Sequence, residues 1–247
     1  MIYVKKIYNQ LNLLALKNKI KKNIFWCFIP AKLNSKTIKK KNLKKIGNFT
    51  LIERSIRVAN KSNGFEKIIC SSESLSIKKY CLNKCEFHLR RSNLSKKFTL
   101  VEDVIKNYLN EEMPSLLPEF IFLIEPTSPF IEVSHIKKLI NLMKKSKTHK
   151  TGQTISRPPH THLAFNQRSF DGKYVKFINK KRYKIRLKQK KPLSYIFGNI
   201  CSIRTSHLLK NGKFFDQPSI GFEIPFKYSI NIDDQVDIKI AKVFNSL

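Results

Sequence analysis

Four short segments carry side chains that could bind and transfer a phosphorylated group. The first, Pro30 to Asn42, reads PAKLNSKTIKKKN and supplies Lys32, Asn34, Ser35, Lys36, Lys41 and Asn42. A triphosphate needs backbone N–H groups and positive charges around its oxygens, and such a loop offers both. Asn34-Ser35-Lys36 can bend tightly, so lysines on either side could embrace a phosphate chain. The pattern is not the glycine-rich phosphate loop that ends in Gly-Lys-Ser/Thr.

The second segment, CSSES at Cys70 to Ser74, brings the hydroxyls of Ser71 and Ser72 and a carboxylate to a strand end; it reads equally well as a helix N-cap through Ser72 or Ser74. In the third, EPTSPF at Glu125 to Phe130, two prolines fix the backbone around Thr127 and Ser128, which suits a ligand-holding loop or a simple corner. The fourth, NIDDQVD, puts Asp233 and Asp234 at a strand-to-helix junction. Asp233 suits Mg²⁺, a hard cation that takes oxygen ligands; an acidic helix N-terminus is the alternative, favoured by the helix dipole alone. Two weaker patterns remain. Cys81, Cys85 and His88 have a loose metal-like spacing without an evident fourth ligand, and helix-face thiols account for them as well. His160 and His162 form either a metal pair or surface histidines.

The elements that must position these segments alternate. Ile24–Ile29 reads as a fully buried strand, Leu51–Ala59 as a helix with one apolar face, and Lys67–Cys70 as the next strand. A helix around Leu75–Leu82, a short strand at Glu86–His88 and a helix running through Tyr108 follow, the last opened by a Thr99–Glu102 capping box. Then come a strand at Glu119–Ile124, a helix from Val133 to Lys145 and a strand at Lys150–Ile155. Such a series predicts an α/β fold with a mostly parallel sheet and helices on both faces. Residues 157–192 break the rhythm, and an Asp171-Gly172 turn between aromatic residues predicts a protruding β-hairpin arm. Strands at Tyr195–Ile203 and Tyr228–Ile232 and a closing helix at Asp234–Phe244 complete the chain. In open parallel sheets ligands lie beyond the carboxyl ends of the strands, where the four segments fall.

A chain of 247 residues with 41% hydrophobic content can bury one α/β core. Its net charge of +32 implies an anionic ligand. The lysines are spread through predicted helices and loops alike, whereas a nucleic-acid binder concentrates them on one face; the expectation is no nucleic-acid partner. Five cysteines, an odd number in mostly apolar contexts, fit reduced thiols and a cytoplasmic location. No run approaches the roughly 18 apolar residues of a membrane span, so no membrane partner is expected. Residues 1–22 read as an extension with an amphipathic stripe and 23–247 as the functional domain.

Taken in order, the motifs resemble the acylneuraminate cytidylyltransferase family, which includes the CMP-sialic acid synthetases. IPAKLNSKTIKKKNL stands where the family's first loop reads close to IPARxGSKGxxxKNL, LIEPTSPF where it has LQPTSPLR, GNICSI near its NGAIY strand, and NIDDQVD where it has DIDxxxD. The resemblance extends from about Ile24 to the C-terminus. It implies a Rossmann-like nucleotidyltransferase domain whose arm, residues 157–192, serves dimerisation and the sugar pocket. It also implies a reaction in which the anomeric hydroxyl of an acidic nonulosonic sugar attacks CTP, with Mg²⁺ assisting and pyrophosphate leaving. By carry-over, Lys32, Asn34, Ser35, Lys36, Lys41, Asn42, Ser71, Ser72 and Arg90 would hold the nucleotide, with Lys36 and Asp233 catalytic. Glu125, Thr127, Ser128, His160 and His162 would border the sugar, and Asp233 and Asn231 would hold the metal. The implied partners are CTP, an acidic sugar and a second copy of the chain.

The chain departs from the pattern at several positions. Lys32 replaces an arginine and loses its planar fork; Thr37 replaces a glycine, costly if that position needs a positive φ. Glu125 replaces a glutamine, so a carboxylate would face an anionic sugar unless a cation or proton intervenes. Asn231 replaces the first metal aspartate and removes a charge from the Mg²⁺ site, and Arg91 stands where a proline is expected. These departures keep two alternatives open: a weakened or non-catalytic descendant, and a CMP-ketodeoxyoctonate-type synthetase.

Overall fold

Phe25, Trp26, Cys27, Phe28 and Ile29 are each 5% exposed or less, and a strand buried at every position must be covered on both faces. The structure, a computed structural model, describes residues 16–33, 35, 37–96 and 98–246. Along the chain the elements are β1 (Ile20–Pro30), the two-residue strands β2 (Lys45–Ile46) and β3 (Phe49–Thr50), α1 (Leu51–Ser62), β4 (Lys67–Ser72), α2 (Lys78–Cys81), β5 (Glu86–Leu89), α3 (Val101–Glu112), β6 (Leu117–Leu123), α4 (Val133–Lys145), β7 (Thr151–Ser156), β8 (Arg168–Phe170), β9 (Val175–Phe177), β10 (Ile196–Arg204), α5 (Thr205–Leu209), β11 (Ser219–Ile224) and α6 (Gln235–Ser246).

Seven strands form one sheet in the order β11-β7-β10-β6-β1-β4-β5. Every neighbouring pair is parallel except those made by β10, which runs against both β6 and β7. The alternation of side chains along β1 divides the core. Phe25, Cys27 and Ile29 pack with Ile52, Ile56, Ile136 and Leu139 of α1 and α4, while Trp26 and Phe28 pack with Val104, Ile105 and Tyr108 of α3 and Leu208 of α5. A third cluster joins Ile38, Ile46 and Leu51 to Ile232, Ile238 and Ala241 beside α6. The predicted hairpin arm forms as β8 and β9 around Asp171-Gly172, whose turn is capped by Asp171 accepting from the N–H groups of Lys173 and Tyr174. No helix among the described residues is long and apolar enough to cross a membrane.

Three expectations change. The first strand reaches back to Ile20, so residues 20–22, read as part of the extension, pair in part with β6; residues 1–15 lie outside the described residues. The strand expected at Tyr228–Ile232 is absent: Pro225 opens a single 3-10 turn through Ser229, and β11, just before it, takes the sheet edge instead. The capping box expected at Thr99 does not form, because α3 begins after Leu100 and the Glu102 carboxylate turns inward to accept from Phe214 N–H at 3.0 Å.

A bulge in β10 ties the sheet to the loops around the site. Between Phe197 and Cys201 the register on β7 shifts. Thr154 fills the gap, its Oγ1 accepting from Asn199 N at 2.8 Å and Ile200 N at 3.2 Å. Asn199, 1% exposed, then donates to the Tyr228 carbonyl at 3.0 Å and bonds His135 Nδ1 at 3.1 Å. An ideal Cβ on Gly198 would stand 2.4 Å from Thr154 Oγ1 and 2.8 Å from the Thr154 carbonyl carbon, so only glycine fits.

Thr154→Val leaves two buried N–H groups without an acceptor and is expected to lower unfolding free energy by about 1–3 kcal/mol, measured by urea denaturation. Burial holds His135 neutral against the opposing pull of Glu132, so its pKa lies below the ordinary histidine value. Below about pH 6.5 the unfolded chain therefore binds the extra proton more readily than the folded one, and stability falls as pH falls. His135→Gln should flatten the pH dependence of unfolding in that window.

Candidate active site

Because β1, β4 and β6 run parallel, the segments after them emerge on one edge of the sheet and face one another. They enclose a cleft of about 760 Å³. Lys32, Ser35, Lys41, Asn42, Arg90, Glu125 and Thr127 line it, and its far wall is made by Glu102 and by Lys213, Phe214, Phe215 and Asp216.

The lysine-rich loop after β1 is held by one apolar anchor and a set of hydrogen bonds. Ile38, 1% exposed, sits in the third core cluster against Ile232. Asn42 Nδ2 donates to the Lys32 carbonyl at 2.7 Å, and the Lys32 ammonium donates to the Lys96 carbonyl at 3.0 Å. Across the cleft Lys41 donates to the Ile232 carbonyl at 2.8 Å and lies 3.4 Å from Asp233 Oδ1, while the Thr37 hydroxyl donates to the Asp233 carbonyl. Thr37 does not have a positive φ; the left-handed residue is Lys40, at φ 54°. The strain expected at Thr37 is therefore absent, and its hydroxyl makes a tie that glycine could not. Asn34 and Lys36 lie outside the described residues.

Arg90, 3% exposed, follows β5 and reaches the cleft. Glu73 steadies it with an ion pair at 3.4 Å and also accepts from Leu33 N–H at 2.9 Å, so one carboxylate ties the first loop to the arginine. The Arg90 Nε is buried and has no hydrogen-bond partner among the described residues. Burial and the nearby Arg90 charge lower the Lys32 pKa, with Glu73 opposing. The cleft thus concentrates positive charge that a polyanion would relieve.

The loop after β6 meets the segment before α6. Ile232 N–H donates to the Thr127 carbonyl at 2.8 Å, which seats residues 231–233 beside Glu125 and Thr127. Asn231 Nδ2 donates to Asp233 Oδ2 at 3.1 Å, and the Asp233 side chain is 73% exposed. Burial, and then the Asp233 charge, raise the pKa of Glu125, with Lys41 opposing. Asp237 accepts from the N–H groups of Asp233 and Asp234, so the acidic helix start carries out its capping role through Asp237 and Asp234, leaving Asp233 free of it.

Several residues expected at the site stand elsewhere. Ser71 and Ser72 are fully buried: Ser71 Oγ bonds His88 Nδ1 at 3.0 Å and Ser72 Oγ accepts from Ser74 N–H at 3.2 Å. Their carbonyls support the site from behind, accepting from Ala31 N–H and Arg90 N–H. Ser128 is buried in the turn after Glu125 and does not line the cleft. His160 and His162 belong to the arm, where His160 Nε2 lies 3.1 Å from Lys191 Nζ and His162 Nδ1 lies 3.2 Å from Thr161 Oγ1. Neither lines the cleft of this chain. His88, turned to Ser71 and Glu111, is no partner for Cys81 and Cys85, and no group of three metal-capable His, Cys, Asp or Glu side chains occurs among the described residues.

Sequence reasoning missed Glu73, Glu102 and the Lys213–Asp216 wall. Glu73 was visible at a strand end but read only as part of a cap; the wall follows a strand that runs antiparallel to its neighbours, where the rule for parallel strands gives no pointer.

A family model described as cytidylyltransferase matches residues 26–199. The N-acylneuraminate cytidylyltransferase of Streptococcus agalactiae is 25% identical over 215 residues, covering 85% of this chain and 51% of that protein. Post-translational flagellin modification protein B of Campylobacter coli is 26% identical over 226 residues, covering 87% of this chain and 92% of that one. The chain spans about half the length of the N-acylneuraminate cytidylyltransferases that it matches. A solved structure of CMP:2-keto-3-deoxy-manno-octonic acid synthetase complexed with CTP shares the fold, with a TM-score of 0.68 at 10% identity over 90% of this chain and 98% of that one. With the family model matched from the middle of β1 into β10, across the strands whose loops build the cleft, the chain belongs to the cytidylyltransferase family.

Proposed function

We propose that the chain transfers CMP from CTP to the anomeric hydroxyl of an acidic nonulosonic sugar. The hydroxyl oxygen forms a bond to the α-phosphorus, the bond to the β-phosphate oxygen breaks, and pyrophosphate leaves. The observation that carries this reading is a single cleft in which Lys32, Lys41 and Arg90, with Ser35 and Asn42, stand beside Glu125 and Thr127. Transfer of a phosphorus group asks chiefly for positioning and charge neutralisation. Lys32 and Lys41 approach a triphosphate from two sides, and the orphaned Nε of Arg90 supplies a donor already desolvated for it. Lys36 keeps the role that its place in the loop implies. The apolar faces of Phe214 and Phe215 suit a sugar ring on the opposite wall.

Asp233 and Asn231 offer an all-oxygen donor set, one carboxylate and one carboxamide, which fits Mg²⁺. When bound there, Mg²⁺ would neutralise charge on the phosphate oxygens. Thr37 and Lys41 fix Asp233 from the phosphate loop, so the side chains that meet the nucleotide and those that meet the metal are held as one unit. Pairing of two copies through the arm would bring His160 and His162 of one to the sugar pocket of the other. With all five cysteines free, the reaction is assigned to the cytoplasm.

The test is pyrophosphate release from CTP and Mg²⁺ with a panel of nonulosonic acids and ketodeoxyoctonate; the sugar that turns over names the substrate. CTP binding without release for any acid would favour the non-catalytic descendant, whose motivation is Asn231 in the metal motif. Lys41→Ala and Lys36→Ala are each expected to lower kcat by about 10²–10³-fold, and Asp233→Ala by at least as much. Thr37→Gly should raise the Mg²⁺ concentration needed for half-maximal rate, with Thr37→Ser restoring it.

A further inference from the structure

Glu125 is the one feature of the cleft that this reading leaves without a chemical reason. Its carboxylate lines the cleft beside Pro126 and Leu123, yet it makes no side-chain hydrogen bond and no ion pair with any described residue. A carboxylate taken largely out of water without partners is costly, so something that enters the cleft must compensate it. Burial and the charge of Asp233 both disfavour its ionised form, which shows that the two carboxylates feel one another. The backbone brings them together: the Ile232 N–H bond to Thr127 locks 231–233 against the Glu125 loop, and Lys41 lines the cleft with Glu125 while contacting Asp233.

Asn231 contributes less to a cation than its position implies. Its amide nitrogen faces Asp233 Oδ2 at 3.1 Å. The reverse orientation would set two acceptor oxygens against each other, so the amide group is committed to orienting Asp233. A site with Asp233 alone carries one negative charge for a divalent ion.

We propose that Glu125 is a ligand of the divalent cation, supplying with Asp233 the second carboxylate that residue 231 does not provide. The inference rests on the cytidylyltransferase reading of this cleft. It turns two departures from the family pattern into one exchange: a glutamine becomes Glu125 and an aspartate becomes Asn231, with the number of carboxylates conserved. It also removes the conflict of a carboxylate facing an acidic sugar, because the cation stands between them and Glu125 borders the sugar through it.

The experiment is a Mn²⁺ titration followed by electron paramagnetic resonance, on the full chain saturated with CTP in the absence of a sugar. Metal-free CTP affinity and the melting temperature are measured alongside for every variant. Glu125→Gln is expected to weaken Mn²⁺ by at least about tenfold with metal-free CTP affinity unchanged, in line with the loss on removing even an outer-shell partner. The double variant Glu125→Gln with Asn231→Asp should regain Mn²⁺ affinity near that of the parent. Unchanged Mn²⁺ affinity in Glu125→Gln, failure of the double variant to recover despite a normal melt, or a parent that binds CTP but no Mn²⁺ each overturns the inference alone. A parent that does not bind CTP overturns the reading of the cleft and this inference with it.

Discussion

The parallel pairing of β1 with both β4 and β6 is the constraint on which the rest depends. It buries β1 on both faces, which is why five successive residues there are apolar, and it forces the chain to leave β1, β4 and β6 at the same edge. Two backbone bonds just past the strand ends, Ala31 N–H to the Ser71 carbonyl at 2.8 Å and Ile124 N–H to the Phe28 carbonyl at 3.1 Å, carry that alignment into the loops. Lys32 and Glu125 therefore start from fixed backbone on either side of one cleft.

Charge is the second constraint. A loop with five lysines between residues 32 and 41 repels itself, and a single conformation requires contacts that outweigh the repulsion. Burial of Ile38 in an apolar cluster supplies one; the bonds from Thr37 and Lys41 to residues 232 and 233 supply others. The same bonds place the phosphate loop on the segment that bears Asp233. Shaping the cationic side of the cleft and orienting the acidic side are thus one structural event, and Thr37, a departure from the family pattern, is part of it.

The limits of local pattern are visible in two nearly identical tetrapeptides. Thr50-Leu51-Ile52-Glu53 forms a full capping box at the start of α1, whereas Thr99-Leu100-Val101-Glu102 does not, because Glu102 finds the Phe214 N–H across the cleft. The local signal is equal; the tertiary acceptor decides. Ser71 and Ser72 show the same effect in reverse. Hydroxyls at a strand end point to a ligand, yet the twist of the sheet turns them into the core, where His88 and a backbone N–H satisfy them.

What the sequence by itself determined was the alternation of buried strands and amphipathic helices, the hairpin arm, and the loops of Lys32, Lys41, Asn42, Arg90, Glu125 and Thr127 at one sheet edge, because apolar periodicity and strand direction act over a few residues. Only the tertiary structure decided which hydroxyls face the cleft, that Lys213 to Asp216 close it, that Glu73 links Leu33 to Arg90, and that Asn231 orients Asp233 while Glu125 stands unpartnered beside them. Those relations join residues tens to two hundred positions apart, and their energies depend on burial and distance, which no local pattern encodes.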